Sequence, residues 1–337
     1  MRQVMTRIGW GLTALFGASA LAFLLMRVLP GDPAKLAAGD LATPEAVAAQ
    51  ARNMGLDQPM IVQYWKFISG FLTGDWGYAY SIGRPAREEI MSRLPASLEL
   101  GLLAFCLAIV TAVVLALLAA YTRHHWVDMA IRGLSSIGLA TPQFWLALVF
   151  LVVFSERLGF APGPEGRLSP GVEAPPQHTG FNTVDALIAG QWATAADALA
   201  HLILPAIVLA AVPTAFLLRL LRANLMETGR EQYMLVLRAK GTSRASAFLK
   251  HAFPNAALPT ITAGGLILAE LLAGSVLTEK VFGWPGVGSL VVDSVLAKDF
   301  SVVQSFIFLS ALAYVLVNTV VDVAYGVIDP RIRSVTR

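Results

Sequence analysis

Six long apolar runs, at about 8–29, 97–121, 134–155, 199–221, 258–278 and 302–327, constrain this chain more than any other feature. Each has the ~20 residues a helix needs to cross the hydrocarbon core of a bilayer. In lipid, a segment without a sheet partner satisfies its backbone N–H and C=O groups only as a helix. The expectation is an all-α membrane protein with six transmembrane helices. Composition agrees, because charged residues make up 14% of the chain, against about 25% in a soluble domain.

The first run follows Arg2 and Arg7 and contains Ala18-Ser19-Ala20, so it resembles a secretory signal. It continues to Leu29, however, which suits a retained first span. Pro205, Pro213 and Pro259 fall in or at the ends of spans, where neighbouring helices can satisfy the freed carbonyls. Gly264, Gly265 and Gly274, with Ala269 and Ala273, predict close helix contact along the fifth run.

The distribution of positive charge sets the direction of the chain. Arg2, Arg7, Arg123, Arg132, the basic residues of 219–250, and Arg331, Arg333 and Arg337 all fall on one side; they are 14 of the 25 Lys and Arg. The loops on the other side balance both signs. Under the positive-inside rule both termini are cytoplasmic and the 30–96 and 156–198 loops are external. The division expected is a first transmembrane helix (1–29), an external subdomain (30–96) and a core of five further helices (97–337). That core carries a cytoplasmic loop at about 223–257. Helical patterns at Pro44–Asn53 and Pro59–Leu72 give the external subdomain some order, whereas 159–182 is dense in Pro and Gly and reads as irregular.

Catalytic signatures are missing. The chain has no G-x-x-x-x-G-K-[ST] phosphate loop, no H-E-x-x-H, no C-x-x-C and no G-x-S-x-G. His124 and His125 are adjacent, hence about 100° apart on a helix, and do not form a chelating pair. Cys106 is the single cysteine and lies in an apolar run. No metal, cofactor or nucleic-acid partner is expected, and the chain does not read as an enzyme. Ionisable groups in spans are costly and point to function. Glu270 is placed near the middle of the fifth run, and Asn318 and Asp322 share a face of the sixth. These three read either as pathway groups or as interhelical polar contacts. Glu99, at the outer end of the second run, reads as interfacial.

A pathway without an engine needs a place for the engine to attach. The stretch Arg238–Pro259, "RAKGTSRASAFLKHAFPNAALP", is basic and punctuated by glycine and proline. Gly241 is placed to close one helix in the left-handed conformation, and Thr242 or Ser243 to cap the next. That next helix, "RASAFLKHA", carries Ala245, Phe248, Leu249 and Ala252 on one stripe with Arg244, Lys250 and His251 around it, and Pro254 is expected to end it. Such a helix suits a groove on a partner protein or a lipid headgroup surface.

The spacing from Gly241 to Leu258-Pro259 resembles the cytoplasmic "EAA…G…LP" loop of ABC importer permeases. The closest likeness is to the first-permease branch of the dipeptide/oligopeptide/nickel family. Five further stretches occur in that family's order: "PGDP" at Pro30–Pro33, "RLPASLEL" at Arg93–Leu100, "ATPQFW" at Ala140–Trp145, "FGWPGVG" at Phe282–Gly288 and "DPRIR" at Asp329–Arg333. Arg238, Ala239, Lys240 and Gly241 match the branch's "RAKG". The generic Glu-Ala-Ala would fall at Leu235-Val236-Leu237, so no contact by that glutamate carries over. The resemblance implies a type I importer fold in the cell inner membrane. Arg238, Ala239, Lys240, Gly241, Arg244, Phe248, Leu249, Lys250 and Pro259 would serve coupling to an ATPase. It further implies a second homologous permease subunit, two ATP-binding subunits and a periplasmic or extracellular substrate-binding protein, all set in membrane lipid. The cargo implied is a peptide or similar small solute. The other reading is a stand-alone channel or secondary transporter, in which Glu270 or Asp322 would couple ions.

Overall fold

The computed structural model describes residues 2–28, 32–39, 41–122, 124–272 and 274–328. Outside them lie Leu29, Pro30, Gly31, Arg123, Ala273 and the whole of 329–337, with its DPRIR stretch and tail arginines. The side chains of Arg2, Arg7 and Asp322 are likewise outside what is described.

The chain is almost wholly helical. Helix α1 (Arg2–Val28) leads to a small assembly of α2 (Pro33–Ala38), α3 (Pro44–Asn53), α4 (Met60–Thr73) and a two-stranded antiparallel hairpin, β1 (Tyr78–Ala79) with β2 (Arg84–Pro85). Asp32 and Thr43 cap α2 and α3, each with proline in the first turn. Then come α5 (Ala86–Tyr121), α6 (His125–Ala140), α7 (Gln143–Phe150) with a π-helical extension to Arg157, α8 (Asn182–Ile188) and α9 (Trp192–Thr228). The last third holds α10 (Gln232–Ala239), α11 (Arg244–Ser246), a π-helical stretch Ala247–Ala252, α12 (Phe253–Leu272), α13 (Val276–Val281), α14 (Val287–Leu296) and α15 (Phe300–Ile328).

Among the described residues four helices are long and apolar enough to cross a membrane: Ala86–Tyr121, Trp192–Thr228, Arg244–Leu272 and Phe300–Val321. A fifth crossing exists if the pair His125–Ala140 and Gln143–Arg157 is one span, and the shorter Thr13–Val28 is also apolar. The third expected run, 134–155, is therefore not one straight helix. It bends by 105° between Ala140 and Gln143. Pro142 has no N–H to give the helix and disfavours helical backbone at the residue before it. Thr141 is accordingly extended (φ −87°, ψ 124°), and its hydroxyl donates to the Ile137 carbonyl at 2.7 Å.

The most extensive helix pair is α5 with α9. Its seam on α5 is a ladder of alanines four residues apart, Ala104, Ala108, Ala112, Ala116 and Ala120, all buried. Against it pack Leu202, Ala206 and Leu209 toward one end and Leu217, Leu221 and Leu225 toward the other. Lipid tails are as apolar as these side chains, so close backbone approach through small residues, rather than exclusion from water, holds such a pair together. The expected glycine contact on the fifth run is present at Gly265, where a Cβ would collide with Val321 of α15. Gly274 lies beyond the end of α12 with φ 101° and sits beside Gly288 instead.

The external hairpin is bound to the start of α15. The Asp299 carboxylate accepts from the Ser81 backbone N–H and hydroxyl, both at 2.9 Å, and Ala79 and Ala86 share an apolar cluster with Val287, Leu290 and Val302. The irregular 159–182 segment is tied by two carboxylates. Asp185 accepts from the backbone N–H groups of His178, Thr179 and Gly180, and Asp197 accepts from Ser169. Burial alone would raise the Asp185 carboxyl, but the hydrogen bonds from Thr179, Gly180 and His178 outweigh it and hold it below the usual range.

Candidate functional site

The segment 232–259 stands at one end of α5, and the external assembly 33–85 joins the other. A 36-residue helix separates them, about 54 Å at 1.5 Å per residue. Helix α10 closes as its sequence predicts. Gly241 has φ 78°, its N–H donates to the Arg238 carbonyl, and the Thr242 N–H reaches back to the Leu237 carbonyl at 3.1 Å. Ser243 is the residue that caps the next turn, its hydroxyl accepting from the Ser246 N–H.

From Arg244 onward the helix does not stop at Pro254 as the sequence suggested. It runs unbroken to Leu272. Proline is accommodated by a change of register: over 247–252 the backbone is π-helical, and the Phe253 N–H donates to the Phe248 carbonyl five residues back. The extra residue per turn also divides the expected stripe. Ala247, Phe248 and Ala252 turn inward, and Phe248 lies against Gly229. Ala245, Leu249, Lys250 and His251 face outward. Phe248 is thus a core residue here rather than an exposed knob, and Leu249, 53% exposed, is the apolar side chain this turn presents. Pro259 lies inside α12, exposed, rather than at its start.

The exposed surface continues on α10. Arg238, Ala239, Lys240 and Gly241 are all exposed, as are Leu235 and Val236. Where the generic loop would carry an acid, this chain presents a leucine and a valine. The segment is nevertheless fixed. The Arg244 guanidinium lies over the Tyr121 ring at 5.2 Å, Met234 is buried, and Asn255 donates to the His251 carbonyl at 3.1 Å. Nearby, Arg222 pairs with Asp128 at 2.6 Å, binding α9 to α6.

Glu270 and Asn318 are not brought together, and the Asp322 side chain lies outside the described residues. Glu270 is two residues from the end of α12, not at the middle of a span, and is exposed toward a cavity between α6, α7, α9 and α12. Asn318 is half-buried in α15 and is not part of that cavity wall. Glu99 is not interfacial: it is buried, pairs with Arg167 at 2.6 Å, and accepts from the Thr183 backbone N–H at 2.9 Å.

Glu279 is a buried acid outside the long apolar runs, on the short helix α13. It is 1% exposed, and burial pushes its carboxyl above the usual glutamate range despite the hydrogen bonds it accepts. The Ser97 hydroxyl donates to one carboxylate oxygen at 2.8 Å and itself accepts from the Val287 N–H at 2.8 Å. The Ser289 N–H donates to the other oxygen at 2.8 Å. Trp284 is buried and donates to the Ala96 carbonyl at 2.9 Å, with Arg167 beside its ring at 5.9 Å. The glycines of "FGWPGVG" then have a reason. A Cβ at Gly286 would collide with Glu279 and Ser97, and one at Gly283 would collide with the Pro164 carbonyl. The whole is a plug that joins α5, α13, α14 and the 159–182 loop at the end of the molecule that holds the 33–85 assembly, and a glutamate four residues before Gly283 is its signal.

Two family models cover the chain. Residues 112–334 match the binding-protein-dependent transport system inner membrane component, and 1–101 match the N-terminal region of such components. The chain is 42% identical over 324 residues to a probable D,D-dipeptide transport system permease of Escherichia coli K12, covering 96% of this chain and 95% of that one. It is 37% identical to a di/tripeptide transport system permease of Pseudomonas aeruginosa, covering 97% of each. The same identity, over 99% of each chain, holds for a dipeptide transport system permease of Escherichia coli K12. Full-length similarity, paired with long apolar helices and a fixed exposed segment at one end, has one consistent meaning: the chain belongs to the binding-protein-dependent transport system inner membrane components, as a multi-pass permease subunit and not an enzyme.

Proposed function

We propose that this chain forms half of the translocation pathway of an ATP-driven importer for short peptides, and that the 238–259 segment receives the motion of an ATP-binding subunit. The peptide class rests on the relatives, which are named as dipeptide and di/tripeptide permeases. The observation that carries the coupling role is an exposed surface formed by Leu235, Val236, Arg238 and Lys240 at α10 and by Leu249 on the helix that runs from Arg244 to Leu272. A push at Leu249 is delivered to α12 along one continuous helix.

In this reading the chain crosses six times in a type I importer fold, with α1, α5, the bent α6–α7 unit, α9, α12 and α15 as the spans and both termini cytoplasmic. The external subdomain at 30–96 and the loop at 279–300 meet a substrate-binding protein. The five-helix core at 97–337 pairs with a second, homologous permease and two ATP-binding subunits. The test is reconstitution of the full complex in liposomes. Binding-protein-dependent, ATP-driven uptake of a labelled tripeptide is expected, and uptake by this chain without ATP-binding subunits would favour a stand-alone channel or secondary transporter.

A further inference from the structure

The cavity beside Glu270 has about 520 Å³ of space, within the range of small-molecule sites. It lies at the Thr141–Pro142 break, against the middle of α9 and the outer end of α12. Among the described residues Glu270 is the only ionisable side chain in its wall. The ion pairs found among the described residues join other groups, Glu89 with Arg93, Glu99 with Arg167, Asp128 with Arg222 and Arg132, Asp197 with His201 and Asp293 with Lys280. Glu270 has no cationic partner among them.

The rest of the polar wall can accept as well as donate. Gln143 contributes an amide oxygen and Ser275 a hydroxyl. Leu209 and Pro213 line the same wall. Proline has no N–H for the carbonyl four residues earlier, so the Leu209 oxygen lacks its helical donor. Phe216 and Leu277 form an apolar flank. Groups able to accept surround one negative charge, with apolar surface beside them, and no cationic side chain is among the described residues of the wall. A primary ammonium brings three donors and a positive charge, and its pairing with a carboxylate is a charge-assisted hydrogen bond.

We infer that Glu270 is a specificity-determining residue of the pathway, receiving the protonated amino terminus of a peptide while its first side chain lies on Phe216 and Leu277. The inference rests on the importer reading above and names what that pathway favours. The binding protein delivers the peptide, and Glu270 holds it in transit without forming or breaking a covalent bond.

The test uses the complete complex in liposomes and follows uptake of a tripeptide with a free amino terminus and of its N-acetylated form, both delivered at saturating binding protein. The wild-type complex prefers the free amine. In Glu270→Gln that preference falls by about tenfold, the loss expected when one charge-assisted contact becomes neutral. Glu270→Asp keeps the charge and retains the preference. An unchanged preference in Glu270→Gln, or an equal loss in Glu270→Asp and Glu270→Gln, overturns the inference. A wild-type complex that takes up neither peptide would instead refute the importer reading.

Discussion

Replacing Glu279 by alanine should release the external plug while leaving the spans intact. The substitution removes the acceptor for two buried donors, the Ser97 hydroxyl and the Ser289 N–H, each now 2.8 Å from the carboxylate. A buried donor left unpaired costs about 1–3 kcal/mol, so the pair amounts to roughly 2–6 kcal/mol of local stability. If the loop opens as a unit, amide exchange at Val287 and Ser289 accelerates by roughly 30-fold to 10⁴-fold. Hydrogen exchange on the complex in nanodiscs reads this directly, with the middle of α9 as an internal control. Glu279→Gln, which keeps the shape and one acceptor, should fall well short of alanine. The pH response has a defined sign. A carboxyl raised in the native state binds more protons folded than unfolded. The stability from that proton is complete below the ordinary glutamate value and is lost as pH rises through the raised one. The wild-type loop therefore loosens from acid toward neutral pH, and Glu279→Gln loses that dependence. Exchange at 287–289 within threefold of wild type in Glu279→Ala would refute the plug.

Two further substitutions probe the ends of the molecule. Gly241→Ala meets no atom within 4 Å but must hold φ 78°, at about 1–2 kcal/mol for a residue with a Cβ; ATP-driven uptake should fall severalfold with assembly normal, and Gly241→Asn, which tolerates that conformation better, should retain more. Arg167→Ala leaves the Glu99 carboxylate buried and unpaired, which costs about 3–5 kcal/mol; thermal unfolding of the purified complex should shift downward, and adding Glu99→Gln should recover part of the loss.

Local signals proved readable and tertiary ones did not. The pattern at 44–53 and 59–72 returned as Pro44–Asn53 and Met60–Thr73, because a capping threonine and first-turn prolines act within a few residues. Gly241 was legible for the same reason. The break at Thr141-Pro142 was hidden inside a run whose hydropathy is continuous, since apolarity reports solvent preference and not direction. The inward turn of Phe248 depends on a π-helical register set by Pro254, and a residue pattern read at 3.6 per turn assigns that face wrongly. Glu279 is a single acid in a loop, and its burial arises from Ser97, 182 residues away in sequence. The alanine ladder of α5 was present in the letters, but small residues announce a close seam only once the opposing helix is known.

The central claim is that the exposed turn around Leu249 is where an ATP-binding subunit grips the chain. A photoreactive amino acid placed at position 249 of the assembled complex tests this, with position 72, whose leucine is 75% exposed against 53% for Leu249, as the control. A cross-link from 249 to the ATP-binding subunit is expected, changing in yield between the ATP-bound and nucleotide-free states, and none from 72. A cross-link from 249 to lipid alone, in a complex that still hydrolyses ATP and imports peptide, would contradict it.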